Sequence, residues 1–399
     1  MIEGDTKSYD FPWSMVGSLT GLLMLGLVDN QILSPIIPDV ASSFAVGVGR
    51  IGLTVSGYAL AAAVAALVVG PLSDRGARRP FLAVAATTFG LASLLAFFAS
   101  SFFVFASARV VAGASAGVIS ALVVASIADR VPYEHRGRVM VWVAAAYVAA
   151  PILGAAVGSL MVGLWGWRAL YLLFAGAAAA LALIIGCWYR DAPGSHETSE
   201  RRPLGAEMLR IYSGFLRNRS TAAGALSAFF VSGGLTAFMT YLGAYLSGAF
   251  GFETSTIFLI FMVSGAAALV GALVAGRFSD RIGKRPVALW GSVALAVFIL
   301  LVPRLGSGIT LYIGLGLVGL AAASRMAPLQ ALVTGLVNRE ARGAYVALRN
   351  ALSQLGIAVS AATGAALFTV RGYGAVCIFA ATFSVIAALL LLWVEEPRA

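Results

Sequence analysis

Residues 70–80 read Gly-Pro-Leu-Ser-Asp-Arg-Gly-Ala-Arg-Arg-Pro, and residues 276–286 read Gly-Arg-Phe-Ser-Asp-Arg-Ile-Gly-Lys-Arg-Pro. The two stretches align at a shift of 206 residues. The same shift places residues 134–137 on residues 340–343, with Glu, Arg and Gly matched. Because one constant offset matches two separated segments, the sequence indicates an internal duplication. We therefore expect the chain to consist of two related halves.

The composition predicts that most of the chain lies in lipid. Of its 399 residues, 60% are hydrophobic and only 11% are charged, whereas a soluble protein has about 25% charged residues. Twelve apolar runs follow one another, each long enough to cross the roughly 20 residues that a bilayer core requires. Lipid offers no partners to exposed backbone groups, so these runs are expected to be helical. The predicted fold is an all-α membrane protein with twelve transmembrane helices.

A polar stretch divides the apolar runs into two groups of six. We predict an N-terminal six-helix bundle at 1–189, a cytoplasmic linker at 190–220 and a C-terminal six-helix bundle at 221–399. With both termini in the cytoplasm, 20 of the 27 Lys and Arg residues fall on the inner side, as the positive-inside rule requires. The net charge of +10 is then a signal of topology, and no nucleic-acid partner is expected.

The sequence does not indicate an enzyme. We predict no Walker loop, nucleophile elbow or metal-ligand cluster, and the two cysteines, Cys187 and Cys377, both lie in apolar stretches. No cofactor is expected. Without a nucleotide site, ATP hydrolysis is not expected to drive any process within this chain.

The repeated loop resembles the signature G-x-x-x-D-R-x-G-R-[RK] of the major facilitator superfamily. The second copy is nearly complete, and the first has Ala77 where the pattern has Gly. The resemblance implies alternating access between two halves around a midplane site, with this loop latching the outward-facing state. The residues that it assigns to this cytoplasmic gate are Gly70, Asp74, Arg75, Arg78, Arg79, Gly276, Asp280, Arg281, Lys284 and Arg285.

Three further segments are similar to the twelve-helix drug:proton antiporters. Helix 4 contains Arg109 and Gly113 in the R-x-x-x-G spacing of proton-coupled transporters, and Asp29 in helix 1 is followed by two prolines. Residues 150–158 resemble the G-P-x-x-G-G motif of antiporters, with alanines at two of its glycine positions. The resemblance implies proton-coupled efflux of an amphipathic small molecule or drug.

Asp29 is the one acidic residue of the 17 that lies well inside a predicted helix, where an ionisable group is costly and is a functional candidate. With helix 1 ending near residue 37, Asp29 and Arg109 both lie about 10–12 Å below the outer surface at 1.5 Å rise per residue. We hypothesise that they interact and couple movement to protons, because burial disfavours the charged carboxylate and a nearby guanidinium favours it. The alternative is a static ion pair that holds helices 1 and 4 together.

Two other basic residues lie inside predicted helices of the second half. Arg349 is expected to extend to the inner surface. Arg325 lies deeper and has no visible acidic partner, so its candidate partners are backbone carbonyls, Gln330, Gln354 or an anionic substrate. This arginine keeps open a carrier or flippase for an anionic metabolite, lysolipid or glycolipid. A non-transporting membrane sensor is a lower-ranked alternative.

The remaining expectations concern the substrate cavity and the setting. The partners are a small-molecule substrate, protons as the coupling ion and the lipid bilayer, and the chain is expected to act as a monomer in the inner (cytoplasmic) membrane of a bacterium. The residues predicted to line the cavity are Asn30, Gln31, Tyr58, Tyr147, Phe238, Tyr241, Arg325, Asn350 and Gln354.

Overall fold

The structure is a computed structural model that describes residues 13–73, 77–131, 133–188, 206–338 and 341–395. These ranges form fourteen α-helices and one 3₁₀ turn at Val302–Arg304. The helices are α1 (Trp13–Ser43), α2 (Val48–Ser73), α3 (Arg78–Phe97), α4 (Phe102–Arg130), α5 (Tyr133–Trp165), α6 (Arg168–Trp188), α7 (Ala206–Arg217), α8 (Arg219–Phe250), α9 (Thr254–Ile282), α10 (Lys284–Leu301), α11 (Ile309–Ser324), α12 (Met326–Thr334), α13 (Arg342–Arg371) and α14 (Tyr373–Leu391).

Most of these helices are long and apolar enough to cross a bilayer. Eleven such stretches occur in the described part of the chain, with α11 and α12 counted as one. Helix α5, which is 33 residues long, is not among them. The chain is therefore an all-helical, multi-pass membrane protein, as the composition predicts.

The duplication in the sequence recurs in the packing of the helices. Helix α2 packs on α4 as α9 packs on α11, α3 packs on α6 as α10 packs on α14, and α1 packs on α5 as α8 packs on α13. We call α1–α6 the first bundle and α8–α14 the second bundle. The main pairs that join the two bundles are α2 with α13, α5 with α9, and α1 with α8, and smaller contacts join α1 with α9 and α2 with α8.

Side-chain contacts repeat with the same spacing. Arg79 at the start of α3 donates a hydrogen bond to the carbonyl of Gly186, 107 residues later. Arg285 at the start of α10 donates to the carbonyl of Leu392 at 2.6 Å, again 107 residues later. Since each arginine ties the start of the third helix of its bundle to the end of the sixth, the two loops perform the same structural task in both bundles.

Two features depart from the sequence-based expectation. The apolar run at about 309–336, which we expected to form one helix, is divided, because α11 ends at Ser324 and α12 begins at Met326. Pro328 explains the break, since it has no amide hydrogen to donate to the carbonyl of Ser324. The linker also contains α7, and Phe215 on α7 packs against Tyr345 of α13 with ring centroids 5.2 Å apart. The linker is thus more than a polar tether.

Helices α1 and α8 hold the bundles together at one end of the molecule. The hydroxyl of Ser34 on α1 donates to the carbonyls of Met239 and Thr240 on α8, the latter at 3.2 Å. Ser34 and Thr240 are 206 residues apart and so occupy equivalent positions in the repeat. A residue that contacts its own counterpart lies on the axis that relates two similar units, so this contact marks the axis between the bundles.

Two more contacts close the same end. The hydroxyl of Thr254, at the start of α9, donates to Asp39 near the end of α1 at 2.6 Å. Tyr241 of α8 packs against Gly52 of α2, and its hydroxyl donates to the carbonyl of Ala361 on α13 at 2.7 Å. We call this region, around Ser34, Asp39, Gly52, Tyr241 and Thr254, the closed end. It lies where α1 ends and α2 begins.

Replacing Gly52 with valine should open the closed end. A β-carbon at residue 52 would overlap the ring of Tyr241, and overpacking of this kind costs about 1–3 kcal/mol, which lowers the population of the closed form roughly tenfold. The reporter is a disulfide between cysteines placed at Gly49 and Thr369, because a β-carbon at residue 49 lies 2.6 Å from the Thr369 hydroxyl oxygen. Cys187 and Cys377 are replaced in this background.

The matched control is Gly47→Val, since a β-carbon at residue 47 meets nothing within 4 Å. Cross-linking should persist in the control and fall in Gly52→Val. Equal cross-linking in both variants would show that Tyr241 and Gly52 do not hold this end closed.

Candidate functional site

An ion pair lies inside the first bundle. Asp29 on α1 and Arg109 on α4 are each 1% exposed, and Nη1 of Arg109 lies 2.5 Å from Oδ1 of Asp29. The structure thus brings together the two residues that the sequence analysis paired. Charged side chains at this depth are costly unless they find a partner, so the pair fixes α1 against α4.

The expected distance of Asp29 from the end of its helix was wrong. Helix α1 does not end near residue 37 but continues to Ser43, so Asp29 lies about 21 Å from the end of its helix at 1.5 Å per residue. Pro35 and Pro38 are both inside α1. Prolines are tolerated in membrane helices when neighbouring groups satisfy the backbone, which is why they do not mark its end.

Two tyrosines flank the guanidinium. The Cζ atom of Arg109 lies 4.6 Å from the ring centroid of Tyr58 on α2 and 5.9 Å from that of Tyr171 on α6. A cation within about 6 Å of an aromatic ring centroid is attracted to its face. Four helices of the first bundle therefore meet at this one site, which we call the ion-pair site: Asp29, Tyr58, Arg109 and Tyr171.

Gly113 explains the R-x-x-x-G spacing. It lies one turn after Arg109 on the same face of α4, and a β-carbon at this position would overlap the backbone of Tyr58. The missing side chain lets α2 approach α4 closely, as small residues do in membrane helices. This close approach places the Tyr58 ring beside the guanidinium of Arg109.

The ion-pair site is not repeated in the second bundle, although the helix crossing is. A β-carbon at Gly319 would overlap the backbone of Ser264, and this pair corresponds to Gly113 and Tyr58 after the shift of 206 residues. The position of Arg109 is taken by Leu315, whose carbonyl accepts a hydrogen bond from the Ser264 hydroxyl at 3.0 Å. The duplicated scaffold therefore carries this charge pair on one side only.

Several polar atoms of the ion-pair site have no hydrogen-bond partner among the described residues. They include Oδ2 of Asp29, Nε of Arg109 and the hydroxyl of Tyr171. Because Oδ1 of Asp29 is engaged by the guanidinium, Oδ2 is the oxygen able to receive a proton. Burial favours the neutral acid and the guanidinium favours the carboxylate, so the site balances two opposing effects on one group.

Sequence reasoning did not anticipate Tyr171. It lies near the start of α6, and Arg109 lies near the start of α4, so both are at the same end of the first bundle. From the sequence, this shared position near the start of each helix could have suggested that Tyr171 and Arg109 lie at the same height. It could not have shown that the face of α6 bearing Tyr171 turns inward.

The two arginines that the sequence analysis singled out in the second half are both buried. Arg325 is fully buried, and its Nη2 donates to the carbonyl of Val231 at 3.1 Å. Arg349 is 6% exposed, and its Nη1 donates to Oε1 of Gln330 at 2.6 Å. The expectation that Arg349 extends to the surface is therefore wrong: its side chain is buried and is held by the amide oxygen of Gln330. Arg325 takes a backbone carbonyl, one of its expected partners.

Three residues predicted to line the cavity are fully buried in this conformation: Arg325, described above, and Phe238 and Tyr241. Phe238 is fully buried, and its ring lies 5.8 Å from that of Tyr373. Tyr241 is fully buried at the closed end and stacks on Phe368 with ring centroids 5.4 Å apart. Their prediction as ligand-facing residues is corrected here, since none of the three side chains presents a free surface in this conformation.

The other cavity candidates fall into three groups. Tyr58 belongs to the ion-pair site, and the side chain of Tyr147 lies outside the described part of the chain. The polar residues that keep some exposure are Asn30 and Gln354, which are half-buried, and Gln31 and Asn350, which are exposed.

The gate residues are only partly described. Asp74 and Arg75 lie outside the described residues, and Gly70 is part of α2. Arg78 is buried at the start of α3, Lys284 starts α10, and the exposed Asp280 forms no ion pair within the described ranges. The remaining gate residues are Gly276 and Arg281 on α9, and Arg79 and Arg285, whose carbonyl contacts are given above.

Residues 113–117 read Gly-Ala-Ser-Ala-Gly and match the spacing of a hydrolase nucleophile elbow. That motif needs a sharp strand-to-helix turn. Ser115 instead lies in the middle of α4 and donates to the carbonyl of Val111 at 3.0 Å. Residues 113–117 therefore match the sequence pattern of the elbow but do not form its strand-to-helix turn.

Paired bundles of membrane-crossing helices around buried charges define the class of membrane transporters. The family model of the Major Facilitator Superfamily matches residues 19–272 and 224–399. The chain belongs to the Major Facilitator Superfamily and is a transporter of that family, which confirms the resemblance that its loops indicated.

Two relatives and one solved structure are similar to this chain. It is 24% identical over 390 residues to YwfA, an uncharacterized MFS-type transporter of Bacillus subtilis (strain 168), covering 97% of this chain and 94% of that one. It is 27% identical over 278 residues to Multidrug resistance protein D of Escherichia coli (strain K12), covering 68% and 67%. The crystal structure of a D-xylose-proton symporter superposes with a TM-score of 0.80 at 17% identity, covering 97% and 99%.

Replacing Arg109 with methionine should destabilise the protein, whereas the double variant Asp29→Leu with Arg109→Met should recover most of the loss. Removing one member of a buried pair leaves an uncompensated charge and costs about 3–5 kcal/mol, whereas removing both with apolar residues is often neutral. Thermal unfolding of the purified variants in detergent measures this. A double variant no more stable than Arg109→Met would contradict the assignment of the charges to a buried, mutually dependent pair.

Proposed function

We propose that this chain is a secondary active carrier that uses the inward flow of protons to expel an amphipathic small molecule. The buried ion pair between Asp29 and Arg109 carries this proposal, because it is a carboxylate with one free oxygen in a membrane bundle. Two similar proteins support separate parts of it: the Escherichia coli relative is a multidrug resistance protein, and the D-xylose-proton symporter of the same fold couples its transport to protons.

The proposed topology has twelve spans, with α5 counted as the fifth and both termini in the cytoplasm. The first bundle then corresponds to residues 1–189 and the second to residues 221–399, and the linker 190–220 lies on the inner side. The closed end faces outward, so this conformation admits substrate from the cytoplasm. We place the protein in the inner (cytoplasmic) membrane of a bacterium, acting as a monomer.

Helix α1 supplies the mechanical link between the proton and the movement. It carries Asp29, and further along it carries Ser34 and Asp39, whose contacts join the two bundles at the closed end. Protonation of Asp29 removes its charge and weakens its bond to Arg109. Since the same helix loses its hold on α4 and contacts the second bundle, a proton on Asp29 biases the closed end toward one of its two arrangements.

The cytoplasmic loops supply the opposing latch. In this conformation Asp280 forms no ion pair within the described residues and is exposed. An acid at the end of a membrane helix finds partners in nearby arginines or in the N-terminus of another helix. We propose that Asp280 and its counterpart Asp74 make such contacts when the outer end opens, so the two ends of the carrier close in turn.

Replacing Asp29 with asparagine should uncouple transport from protons. In proteoliposomes, uptake of a substrate driven by a pH gradient should fall to background, because asparagine does not titrate, while exchange of labelled for unlabelled substrate at equal pH should continue. Asp39→Asn is the matched control. It retains an acceptor oxygen for Thr254 and should leave pH-driven transport intact.

Comparing the two assays separates coupling from structure. If Asp29→Asn transports with the pH gradient as well as the unaltered chain does, Asp29 is outside the proton pathway. If it loses both gradient-driven transport and exchange while remaining folded, the ion pair is a static brace.

A further inference from the structure

Two arginines buried inside the second bundle have no anionic partner among the described residues. Within the described ranges neither Arg325 nor Arg349 forms an ion pair, and each has one or more guanidinium nitrogens without a hydrogen-bond acceptor: Nε and Nη1 of Arg325, and Nε of Arg349. Arginine stays protonated in proteins. In the first bundle, Asp29 neutralises the buried Arg109. In the second, Arg325 and Arg349 have no such partner among the described residues.

The two arginines belong to one junction of three helices. Arg325 reaches Val231 on α8. The next residue, Ser232, shares a 2.6 Å hydrogen bond with Ser353 on α13, and Ser353 lies one turn after Arg349. Arg349 in turn reaches Gln330 on α12. The contacts therefore run from Arg325, which lies between α11 and α12, to α8, from α8 to α13, and from α13 to α12.

Arg349 is the accessible member of the pair. Arg325 is fully buried, whereas Arg349 keeps 6% of its surface exposed. Its partner Gln330 is exposed, as is the adjacent Asn350 on α13. Helix α13 also packs on α2 of the first bundle, so this junction borders the boundary between the bundles, where carriers of this architecture bind their substrates.

The contact with Gln330 is a weak match for a guanidinium. A neutral amide oxygen offers one acceptor, whereas a carboxylate or phosphate accepts two parallel hydrogen bonds from the fork of an arginine, and charge-assisted bonds are about twice as strong as neutral ones. An uncompensated cation in a low-dielectric setting adds to this difference. An anion that displaced the Gln330 oxygen would both pair the fork and neutralise its charge.

We propose that Arg349 and Gln330 form a binding site for the anionic group of an amphipathic substrate, a carboxylate or a phosphate. In this site the guanidinium of Arg349 binds the anion and Gln330 is the neutral side chain that occupies it when substrate is absent. This rests on the proposed function, since it names the chemical class of what the carrier moves. The ion-pair site of the first bundle then takes the proton, and the second bundle takes the substrate charge.

The test uses three probes that share a ring system and differ in charge: 2-naphthoate, 2-naphthalenemethanol and 2-naphthylmethylammonium. Each is titrated into the full-length protein in uncharged dodecyl maltoside micelles, and the thermal unfolding midpoint is followed. We expect 2-naphthoate to stabilise the protein and the alcohol and amine to do so far less. In Arg349→Gln the apparent affinity for 2-naphthoate should fall about tenfold or more, since a hydrogen bond to a charged group is lost.

Changes at Gln330 keep the test decisive if Arg349→Gln fails to fold. Gln330→Glu places a permanent carboxylate on Arg349 and should abolish binding of 2-naphthoate while raising the unfolding midpoint. Gln330→Ala removes the competing acceptor and should tighten binding. If Gln330 were only a structural clip between α12 and α13, Gln330→Ala would destabilise the protein without improving its affinity for the anion.

The control is Arg304→Gln, which removes an arginine whose Nη1 donates to the carbonyl of Leu300 in its own turn. It should bind 2-naphthoate as the unaltered chain does. Equal stabilisation by all three probes, no stabilisation by 2-naphthoate, or an unchanged 2-naphthoate affinity in Gln330→Glu would each overturn the site. Asp29→Asn should still bind the anion, so failure of proton coupling and failure of this site give different results.

Discussion

The ion pair between Asp29 and Arg109 is the constraint on which the arrangement of the first bundle depends. Both side chains are 1% exposed, and an unpaired charge at that depth is costly. The pair requires α1 and α4 to lie in one relative position, and the rings of Tyr58 and Tyr171 enclose the guanidinium from α2 and α6. Because α1 also makes the hydrogen bonds of the closed end, the state of one carboxyl group reaches the contact between the bundles.

The duplicated scaffold gives this interaction its meaning. Both bundles retain the same helix packing. Gly113 packs against Tyr58 as Gly319 packs against Ser264. In each bundle an arginine also donates to a carbonyl 107 residues later. Their charges have diverged. The first bundle buries an acid paired with a base, which suits a group that must gain and lose a proton. The second buries Arg325 and Arg349 with no acid beside them among the described residues, which suits the capture of an anion.

Sequence reasoning could predict what rests on composition and on single costly residues. The repeated loops and the apolar runs determined the fold class, and Asp29 and Arg109 stood out because charged residues inside such runs are rare. It could not predict which side of an apolar helix turns inward. Phe238 and Tyr241 lie on α8, whose polar and apolar residues are not segregated to opposite faces, so no periodicity distinguishes packing from a ligand-facing wall. Pro328 could have revealed the break between α11 and α12, since proline removes a helical hydrogen bond.

The central claim is that Asp29 takes up and releases a proton during the transport cycle. Infrared difference spectroscopy of the purified protein in lipid tests it directly, because a protonated carboxylic acid has a carbonyl stretch that a carboxylate lacks. The other acidic residues give such bands when they titrate, so the signal is the difference between the unaltered chain and Asp29→Asn. Across the pH range in which transport occurs, the unaltered chain and Asp39→Asn should gain a carboxylic acid band that Asp29→Asn lacks. Identical carboxylic acid bands in the unaltered chain and in Asp29→Asn across that range would contradict the account.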